Sequence, residues 1–569
     1  MDLSNQSVAA DPASLCTVFD EACQYDIRSS LPVLVQTLCK AALSVAMLFV
    51  ATYLFTSCRF HLTSGHDSRF KGKEPPTLPY WIPYLGNAWS MVTDPHSFYE
   101  ETLSKRPDNG PVTMRLGPIS MYLIFGAENV QAIFRNSRSL SFEHMQLRIA
   151  EKVKGLPTSD KAKLGLDDSG SGSVPLNDQR GDERIWHNLH NIYLKNLTER
   201  SAVDFLTRKF VVEFAKQIDA LPWKQTTTGL YAFLQQYQGK AENQVQFSDT
   251  FWEYDAAFMT LMQGMPRFMC RKGWAARDRT LEATKMWLRE ATEAANHSQD
   301  KHADPDWDES FGHRLVRERN AELVKYGISF DGRAAMHMGL IWAINANAVP
   351  MTAYILFELA RDPALLQRIR AELRAGGVFV GSLTEIDIAA LVKLPLLNSV
   401  YSECLRLRSS IPISRRLRDD VVIDGYTLKK DSFLLAPSWL SHINEAVWAP
   451  RSCSSGPSEK TYNNTPGAQE FWAERFLYLE ATKTKIKLGD YCPYGGGSVI
   501  CPGRFFAKHE ILAAVAMVVT RFDLGFEGYT LLDGTTPSQR GPGMENAECR
   551  GIVSLDRDMR VTMRRRDVF

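Results

Sequence analysis

The most constraining feature of this sequence is a glycine-rich turn that contains one cysteine and leads into an apolar helix. Residues 494–504 read YGGGSVICPGR, and the apolar stretch after them predicts a helix over Phe505 to Phe522. Proline is favoured at the first helical position, because its missing N–H needs no partner there. We therefore place Pro502 at that position. Cys501 then precedes a helix N-terminus, where free amides and the helix dipole favour thiolate over thiol.

The glycines of this turn favour close contact with a flat group. Gly495, Gly496 and Gly497 have no Cβ, so the backbone can approach a large planar surface. A buried thiolate at such a place needs a compensating cation, and a haem iron meets that requirement. The competing interpretation is a buried structural cysteine beside a glycine turn, which fits a lone cysteine better than this combination of features.

Composition sets the class of protein. The chain has 569 residues, of which 44% are hydrophobic and 23% are charged, as in ordinary globular proteins. This excludes a wholly disordered chain, a collagen and a multi-span transporter. The formal net charge of +1 indicates no general affinity for nucleic acid. The 10 cysteines are too sparse in a chain of this length for a disulfide scaffold, and they include no CxxC pair, which argues against a structural zinc site. We therefore favour a reducing compartment.

One N-terminal segment predicts a membrane span. Ala41 to Cys58 carries no charge, and at 1.5 Å per residue it reaches about 27 Å, close to the thickness of a hydrocarbon core. Acidic residues precede this run and basic residues follow it, so we expect a lumenal tail and a cytosolic remainder. We assign residues 1–30 to the tail, with a sequon at Asn5, and residues 31–58 to the anchor. A secretory signal peptide and a buried core helix are the alternatives.

The rest of the chain predicts one large, mainly α domain with small β-sheets. Residues 59–86 form a basic, proline-rich linker, and residues 87–569 form the catalytic domain, with polar insertions near 158–182 and 452–467; the glycine-rich first of these is expected to be flexible. Amphipathic patterns predict helices over Trp186 to Leu221, Arg277 to Asn296, Phe311 to Tyr326 and Ala334 to Leu373. Other patterns predict a β-hairpin over Val112 to Gly126 and strands over Val421 to Leu428 and Ser432 to Pro437. The charge-free run Ala334 to Phe357 is interpreted as a buried core helix.

Two further motifs lie upstream of the cysteine turn. Glu403 and Arg406 stand three residues apart on one predicted helix face, and residues 471–476 read FWAERF. Together with the turn, these motifs resemble the cytochrome P450 family, the haem-thiolate monooxygenases. The turn residues that match the signature of that family are Tyr494, Gly495, Gly497, Cys501 and Gly503.

The resemblance implies roles for several residues. Cys501 would ligate the iron of haem b, and Glu403, Arg406 and Arg475 would form a buried triad that supports the cysteine turn. Contacts to the haem are implied for Arg416, Trp186 and His190, of which His190 replaces the arginine usual in the family. Two further departures are noted: Tyr494 stands in place of phenylalanine, and Val499 occupies a position that is often basic.

The central helix departs most from the family pattern. Trp342 to Thr352 lacks the acid–alcohol pair that delivers protons in the family. Pro350 removes one helical hydrogen bond and clashes with the carbonyl of Ala346, which predicts a kink. Asn347 is then the polar group nearest the gap, and we take Asn347 and Pro350 as candidate catalytic residues. In the alternative, Pro350 only kinks a core helix and Asn347 satisfies the broken turn.

The ANxxP pattern over 346–350 also resembles the branch that contains sterol 7α-hydroxylase and prostacyclin synthase. The resemblance implies a membrane-anchored monooxygenase of the endoplasmic reticulum, with one span and a cytosolic domain, that oxidises a large apolar substrate such as a steroid or terpenoid. Its partners would be the lipid bilayer and NADPH-cytochrome P450 reductase, with cytochrome b5 as a second candidate. Two alternatives stay open: a reductase-independent isomerase or dehydratase of an oxygenated lipid, and a non-catalytic haem or sterol binder.

Overall fold

The computed structural model describes residues 12–64, 72–178, 181–222, 224–242, 248–297, 306–449, 466–543 and 551–566. The sequon at Asn5 and nearly all of the predicted insertion at 452–467 lie outside these residues.

Helices make up most of the described chain, as the sequence predicts. Their bounds are α1 Pro12–Thr63, α2 Ala88–Thr93, α3 Pro95–Ser104, α4 Ala127–Arg135, α5 Glu143–Lys152, α6 Thr158–Gly165, α7 Ile185–Thr198, α8 Arg200–Asp219, α9 Leu230–Glu242, α10 Ser248–Ala256, α11 Phe258–Met262, α12 Arg271–His297, α13 Arg314–Lys325, α14 Phe330–Arg361, α15 Pro363–Ala375, α16 Ile388–Leu391, α17 Pro395–Arg408, α18 Ser438–His442, α19 Glu445–Trp448, α20 Arg475–Ala481 and α21 Arg504–Arg521.

The strands are short and form small sheets. Their bounds are β1 Val112–Leu116, β2 Ile119–Leu123, β3 Leu140–Ser141, β4 Gln225–Gly229, β5 Trp307–Asp308, β6 Gly312–His313, β7 Pro412–Leu417, β8 Val421–Ile423, β9 Tyr426–Leu428, β10 Phe433–Pro437, β11 Phe522–Leu531, β12 Pro537–Ser538 and β13 Arg557–Arg565. One sheet has the order β1-β2-β10-β7-β3, with β10 parallel to β2, and a second has the order β12-β11-β13-β4. The strands β5-β6 and β8-β9 form separate pairs.

The main core surrounds α14 and α21. Residues 511–519 of α21 are buried on every side, and they pack with the second half of α14, with α17 and with α8. A helix that is apolar all round requires such burial. The interpretation of Ala334 to Phe357 as a core helix is therefore confirmed, because α14 is buried along most of that length. This core places α14 beside the segment that leads into α21.

The first helix contrasts with this core. Residues Val35–Thr63 have a mean hydropathy of 1.9, and none of their most apolar window is buried against the protein. They are long and apolar enough to cross a bilayer, which agrees with the predicted anchor. The Thr56 hydroxyl nevertheless contacts the backbone N–H of Tyr80 at 3.2 Å, and the Tyr53 and Trp81 rings stack 4.1 Å apart. These contacts join the helix to the proline-rich linker.

Local predictions held where short-range patterns determine the structure. The hairpin at Val112 is present as β1 and β2, with Gly117 in the left-handed conformation at φ +62.

The region near 158–182, predicted as a flexible insertion, instead contains α6 and a segment with buried polar residues. There, the Arg184 guanidinium donates to the carbonyls of Gly170 and Ser173, and these hydrogen bonds hold a polar, glycine-rich sequence in place.

Candidate active site

The cysteine turn runs from Cys492 to Gly503 and is closed by backbone hydrogen bonds. The amide of Cys501 donates to the carbonyl of Tyr494 at 3.1 Å, and Gly495 donates to the carbonyl of Cys492 at 2.9 Å. Gly495 and Gly497 both have φ +70, a conformation that favours glycine. Gly496 is needed for a different reason, because a Cβ there would lie 2.5 Å from the Phe134 ring. Sequence analysis gave Gly496 no separate role.

The Cys501 side chain faces the start of α21. Burial raises the pKa of the Cys501 thiol, whereas hydrogen bonds from the amides of Gly503 and Arg504 and the Arg504 guanidinium lower it. The helix begins at Arg504 with Gly503 as its N-cap, so Pro502 precedes the helix and does not occupy its first position. The predicted convergence of backbone amides on the sulfur is nevertheless present, because the amides that reach it are those of the N-cap and the first helical residue.

Glu403, Arg406 and Arg475 meet in a site with no solvent exposure. The Glu403 carboxylate accepts two hydrogen bonds from Arg406, both 2.8 Å, and one from Nε of Arg475 at 2.9 Å. Arg475 donates further to the Trp448 and Gly467 carbonyls, so its buried donors also bind backbone oxygens. The ion pairs and hydrogen bonds together compensate the burial of three charges.

A histidine connects this triad to the cysteine turn. Arg406 donates to the carbonyl of His442 at 2.6 Å, and the amide of Cys492 donates to Nε2 of His442 at 3.1 Å. Burial and the charge of Arg406 lower the pKa of His442 to about 3, so its ring stays neutral and accepts the Cys492 hydrogen bond. Sequence analysis missed His442, since one histidine at the end of the short helix α18 gives no signal of its own.

Tyr494 has a partner that explains a departure from the family pattern. Its hydroxyl hydrogen-bonds to the hydroxyl of Tyr401 on α17, and both tyrosines are largely enclosed. A phenylalanine at 494 would leave the Tyr401 hydroxyl without this bond. The tyrosine therefore joins the start of the turn to the same helix that carries Glu403 and Arg406.

The central helix α14 continues through Pro350 and is less buried over part of one face. Ala343 is exposed and Asn347 half-buried, although Asn345, Ala346 and Ala348 to Pro350 are buried. Oδ1 of Asn347 accepts a hydrogen bond from the amide of Ile552 at 3.0 Å. Gly551 permits this contact, because a Cβ there would lie 2.5 Å from the same oxygen. Asn347 thus joins α14 to the segment after residue 551, a partner that the sequence did not indicate.

The structure distinguishes two neighbouring arginines of β7. Arg416 is half-exposed, pairs with Asp431 at 2.9 Å and does not line the cleft beside the cysteine turn, so its predicted haem contact stays a prediction. Arg415 is buried and lines a cleft with Gly497, Val499, Phe142 and Glu143. Burial lowers the pKa of Arg415 to about 10, while the charge of Glu143 acts in the opposite direction. Of the two neighbouring arginines, Arg415 is therefore the one that lines the cleft beside the cysteine turn, together with Arg138 and Arg418.

Trp186 and His190 lie on α7, and the structure gives neither a contact with the cysteine turn. Nε1 of Trp186 donates to the carbonyl of Leu164 at 3.1 Å, so its ring hydrogen bond is already used inside the protein. His190 is half-buried, and burial lowers its pKa. The two residues share a helix as predicted, but Trp186 packs in an apolar cluster that includes Leu189.

Comparisons with known proteins agree with this mainly helical fold and its cysteine site. A family model described as Cytochrome P450 matches residues 233–533. Cytochrome P450 monooxygenase calL of Penicillium decumbens is 31% identical over 521 residues, which cover 87% of this chain and 93% of that protein. Cytochrome P450 7A1 of Rattus norvegicus is 23% identical and covers 80% of this chain and 88% of its own. The solved structure of retinoic acid bound cyanobacterial CYP120A1 shares the fold, with a TM-score of 0.58 and 16% identity, over 87% of this chain and 100% of that chain.

The fold, the cysteine turn and these matches define a haem-dependent oxidoreductase. The chain belongs to the cytochrome P450 family and is a cytochrome P450 monooxygenase. The family resemblance inferred from the motifs is confirmed, and the relatives include the sterol branch, among them Cholesterol 7-alpha-monooxygenase of Cricetulus griseus at 24% identity. Membership implies a haem iron cofactor and a redox partner.

The residues present fit a haem. The Cys501 sulfur lies against backbone N–H groups that stabilise negative charge on it. Gly496 and Gly497 approach Phe134 in a turn that side chains would obstruct. Arg415 supplies a buried cation at the cleft that adjoins the turn. A thiolate ligand, a flat approach and a cation for an anionic edge are the features that this cofactor requires.

Proposed function

We propose that the protein is a membrane-anchored haem b monooxygenase that oxidises a large, mainly apolar substrate of the steroid or terpenoid class. Electrons would come from NADPH through NADPH-cytochrome P450 reductase, with cytochrome b5 as a second donor. The observation that carries the proposal is the Cys501 sulfur, held against the amides of Gly503 and Arg504 at the start of α21.

In this proposal each part of the chain has a defined task. Cys501 would ligate the iron, Arg415 would hold the anionic edge of the cofactor, and Glu403, Arg406 and Arg475 would support the turn on the side away from the cofactor. When bound, the haem supplies the activation of dioxygen, which a thiolate ligand favours. Asn347 anchors the segment after residue 551 beside the exposed side of Ala343, and that segment limits the space in which the substrate is oriented.

The location and the substrate class rest on two supports. The exposed apolar helix Val35–Thr63 and the basic residues after it favour a single-pass anchor in the endoplasmic reticulum with the catalytic domain in the cytosol. Relatives named Cholesterol 7-alpha-monooxygenase and Cytochrome P450 7B1 favour a steroid or terpenoid, since they share the chain over most of its length.

The first experiment tests the sulfur ligand. Reduced protein with carbon monoxide is expected to give the optical band of a thiolate-bound haem, and Cys501→Ser is expected to lose it. Cys492→Ala is the matched control, because Cys492 lies in the same turn and is buried, and burial raises its pKa to about 12. A thiolate band that survives in Cys501→Ser would overturn the assignment.

The second experiment tests the reaction. Reconstitution with the reductase, NADPH and a panel of steroids and terpenoids should give products heavier by one oxygen atom. Turnover of a lipid peroxide without NADPH would instead favour the isomerase alternative.

A further inference from the structure

One lysine beside the central helix has an unusual position. Lys154 follows α5, and its side chain lies flat along Gly339 of α14, where an added Cβ would be 2.5 Å from the Lys154 Nζ. Glycine in a helix interior is destabilising relative to alanine. Because Gly339 has no side chain, the Lys154 side chain can occupy the space beside it. The position of the lysine therefore depends on a glycine at residue 339.

The Lys154 ammonium lacks a compensating anion. Within the described residues it makes no hydrogen bond or ion pair, and burial together with the charge of Arg319 lowers its pKa to about 8. Arg319 is also buried, donates to the Met336 carbonyl at 2.8 Å, and has an Nε atom without a partner in this part of the structure. His337 next to it stays neutral, since burial lowers its pKa well below the ordinary value. Two cations therefore lie close together with no described carboxylate beside them.

The lysine also borders the open side of α14. Ala343, one turn after Gly339, is exposed, and Ile344 and Asn347 are half-buried within a helix that is otherwise mostly buried. Lys154 keeps some exposed surface although protein surrounds it closely enough to lower its pKa. Both observations fit a side chain at the wall of an internal cavity that runs along this face of the helix.

We propose that Lys154 binds a carboxylate of the substrate, so that the substrate is an apolar acid and not a neutral steroid or terpenoid. This inference rests on the proposed function, because it assigns a group to the cavity beside Asn347. Gly339 and Asn347 are eight residues apart, and a helix rises 1.5 Å per residue, so the two positions are separated by about 12 Å. A carboxylate held beside Gly339 therefore lies about 12 Å along the helix from Asn347.

The test compares acids with their uncharged esters. Equilibrium dialysis of the full-length holoenzyme measures binding of three pairs: palmitic acid and methyl palmitate, abietic acid and methyl abietate, and 5β-cholanic acid and its methyl ester. A hydrogen-bonded ion pair that is shielded from water predicts that at least one acid binds about tenfold or more tightly than its ester. Lys154→Met is expected to remove the difference, and Lys154→Arg to retain part of it.

Two further variants separate recognition from general charge effects. Lys152→Met removes a lysine two residues away that pairs with Glu151 at the surface, and it should leave the difference between acid and ester intact. Gly339→Ala should reduce the difference, because the new methyl group displaces the ammonium. The inference is overturned if no acid binds more tightly than its ester, or if the preference survives in Lys154→Met.

Dialysis does not depend on the optical signal of the cofactor. Absence of a thiolate band with carbon monoxide would contradict the proposed function, whereas equal binding of acid and ester by the unsubstituted protein, or a preference that survives in Lys154→Met, would contradict only the lysine assignment.

Discussion

Glu403 is the residue on which the support of the cysteine turn depends. Its carboxylate is fully buried between two guanidiniums, and the amide of Trp472 also donates to it at 3.2 Å. Burial makes charged groups costly unless each has a partner, so removal of the carboxylate leaves two unpaired cations in the interior. The neighbouring links through His442 and Cys492 carry that disturbance to the turn.

We predict that Glu403→Ala gives no folded, haem-containing protein, since a broken buried ion pair typically costs about 3–5 kcal/mol. The measurement is the haem-to-protein ratio of the soluble or detergent-extracted fraction. Glu474→Ala is the control, because Glu474 lies in the same FWAERF segment but pairs with Arg368 where both are solvent-accessible. Normal haem content in Glu403→Ala would contradict the triad.

The neighbouring arginines of β7 provide a second test. Arg415→Leu is expected to lower haem content and to speed haem loss to apomyoglobin, because it removes the buried cation at the cleft beside Gly497. Arg416→Leu should leave both unchanged, since its partner is Asp431 at the surface. Equal effects of the two substitutions, or a larger effect at Arg416, would reject the assignment to Arg415.

Glu143 gives the protein a defined pH dependence. Burial acts to raise its pKa, but hydrogen bonds from the Ser141 and Ser171 hydroxyls, both no longer than 2.8 Å, and from backbone amides lower it to about 2. A carboxylate with a lowered pKa contributes stability above its ordinary pKa near 4.5, and that contribution is lost as pH falls towards 2.

We therefore expect Glu143→Gln to lower the free energy of unfolding at pH 7 by up to about 3 kcal/mol, because the lowered pKa of Glu143 stabilises the folded state at that pH. The difference from the wild-type protein should shrink as pH falls below about 4.5. Denaturant unfolding at several pH values measures both effects. Glu151→Gln, on the same helix and partly exposed, should change little; a difference for Glu143→Gln that stays constant with pH would contradict the prediction.

At the scale of single residues, the sequence predicts which side chains meet in the site when those residues belong to one short motif. Glu403 with Arg406, and Cys501 with its glycines, each stand within a few residues of one another, and the structure brings them together. The sequence did not show which of Arg415 and Arg416 is buried. Strand β7 is paired on both sides and residues 413–415 are all buried, so buried and exposed side chains do not alternate along it. Lys154 gave no signal, since its contact with Gly339 joins distant parts of the chain.

Among the elements, α14 determines the shape of the cavity. It carries Gly339, Ala343, Asn347 and Pro350 on successive turns, and it is fixed at its centre through Asn347 to the amide of Ile552. The segment after residue 551 is also tied to the loop after α17, where Ser410 donates to the carbonyl of Gly551 at 2.7 Å. These hydrogen bonds join α14, the segment after residue 551 and the loop after α17 into one wall.

We predict that Asn347→Leu loosens this wall and that Asn347→Asp does not, because aspartate keeps the acceptor oxygen. Loss of one hydrogen bond worth about 1 kcal/mol should speed hydrogen exchange of the Ile552 amide about fivefold. The Val553 amide is the internal control, since it donates to the Arg408 carbonyl at 2.8 Å and has no bond to Asn347. Unchanged exchange at Ile552 in Asn347→Leu would show that the contact is not populated.

The sequence predicted whether a segment is a helix or a strand better than it predicted which other parts of the chain that segment contacts. The hairpin β1–β2 and the helices α12 and α21 follow from periodicity, and their ends differ from the predicted ends by a few residues, as at Arg504. Two predicted helices are each divided in the structure: Ala334 to Leu373 becomes α14 and α15, with a break at Asp362, and Trp186 to Leu221 becomes α7 and α8, with a break at Glu199. The segment 167–171 was predicted as flexible because glycine and serine dominate it. It is held instead by Arg184 and Glu143, whose buried hydrogen bonds a local sequence pattern cannot reveal.

For the whole molecule, the arrangement of the anchor and the domain favours one orientation at the membrane. Trp81, Tyr84 and Trp89 are exposed beside the last turns of α1, and Trp and Tyr are the side chains that favour the boundary between lipid and water. Phe60 is buried in a cluster with Leu78 and Phe98, so the end of the apolar helix is packed on the domain. The aromatic patch and the helix end thus form one continuous apolar surface.

We predict that residues 1–30 are dispensable for membrane attachment and that residues 31–52 are not. Deletion of 1–30 should leave the protein in membranes after a sodium carbonate wash, because the apolar run is intact. Deletion of 1–52 should release it. The remaining Tyr53, Thr56 and Phe60 keep their contacts with the domain, so haem content should stay normal.

In that deletion, Trp89→Ser should further weaken binding to phosphatidylcholine vesicles, since only the aromatic patch remains to insert. Carbonate-resistant attachment without residues 1–52 would mean that a second part of the chain crosses the bilayer, and α14, which is mostly buried in the core, is a poor candidate for that role.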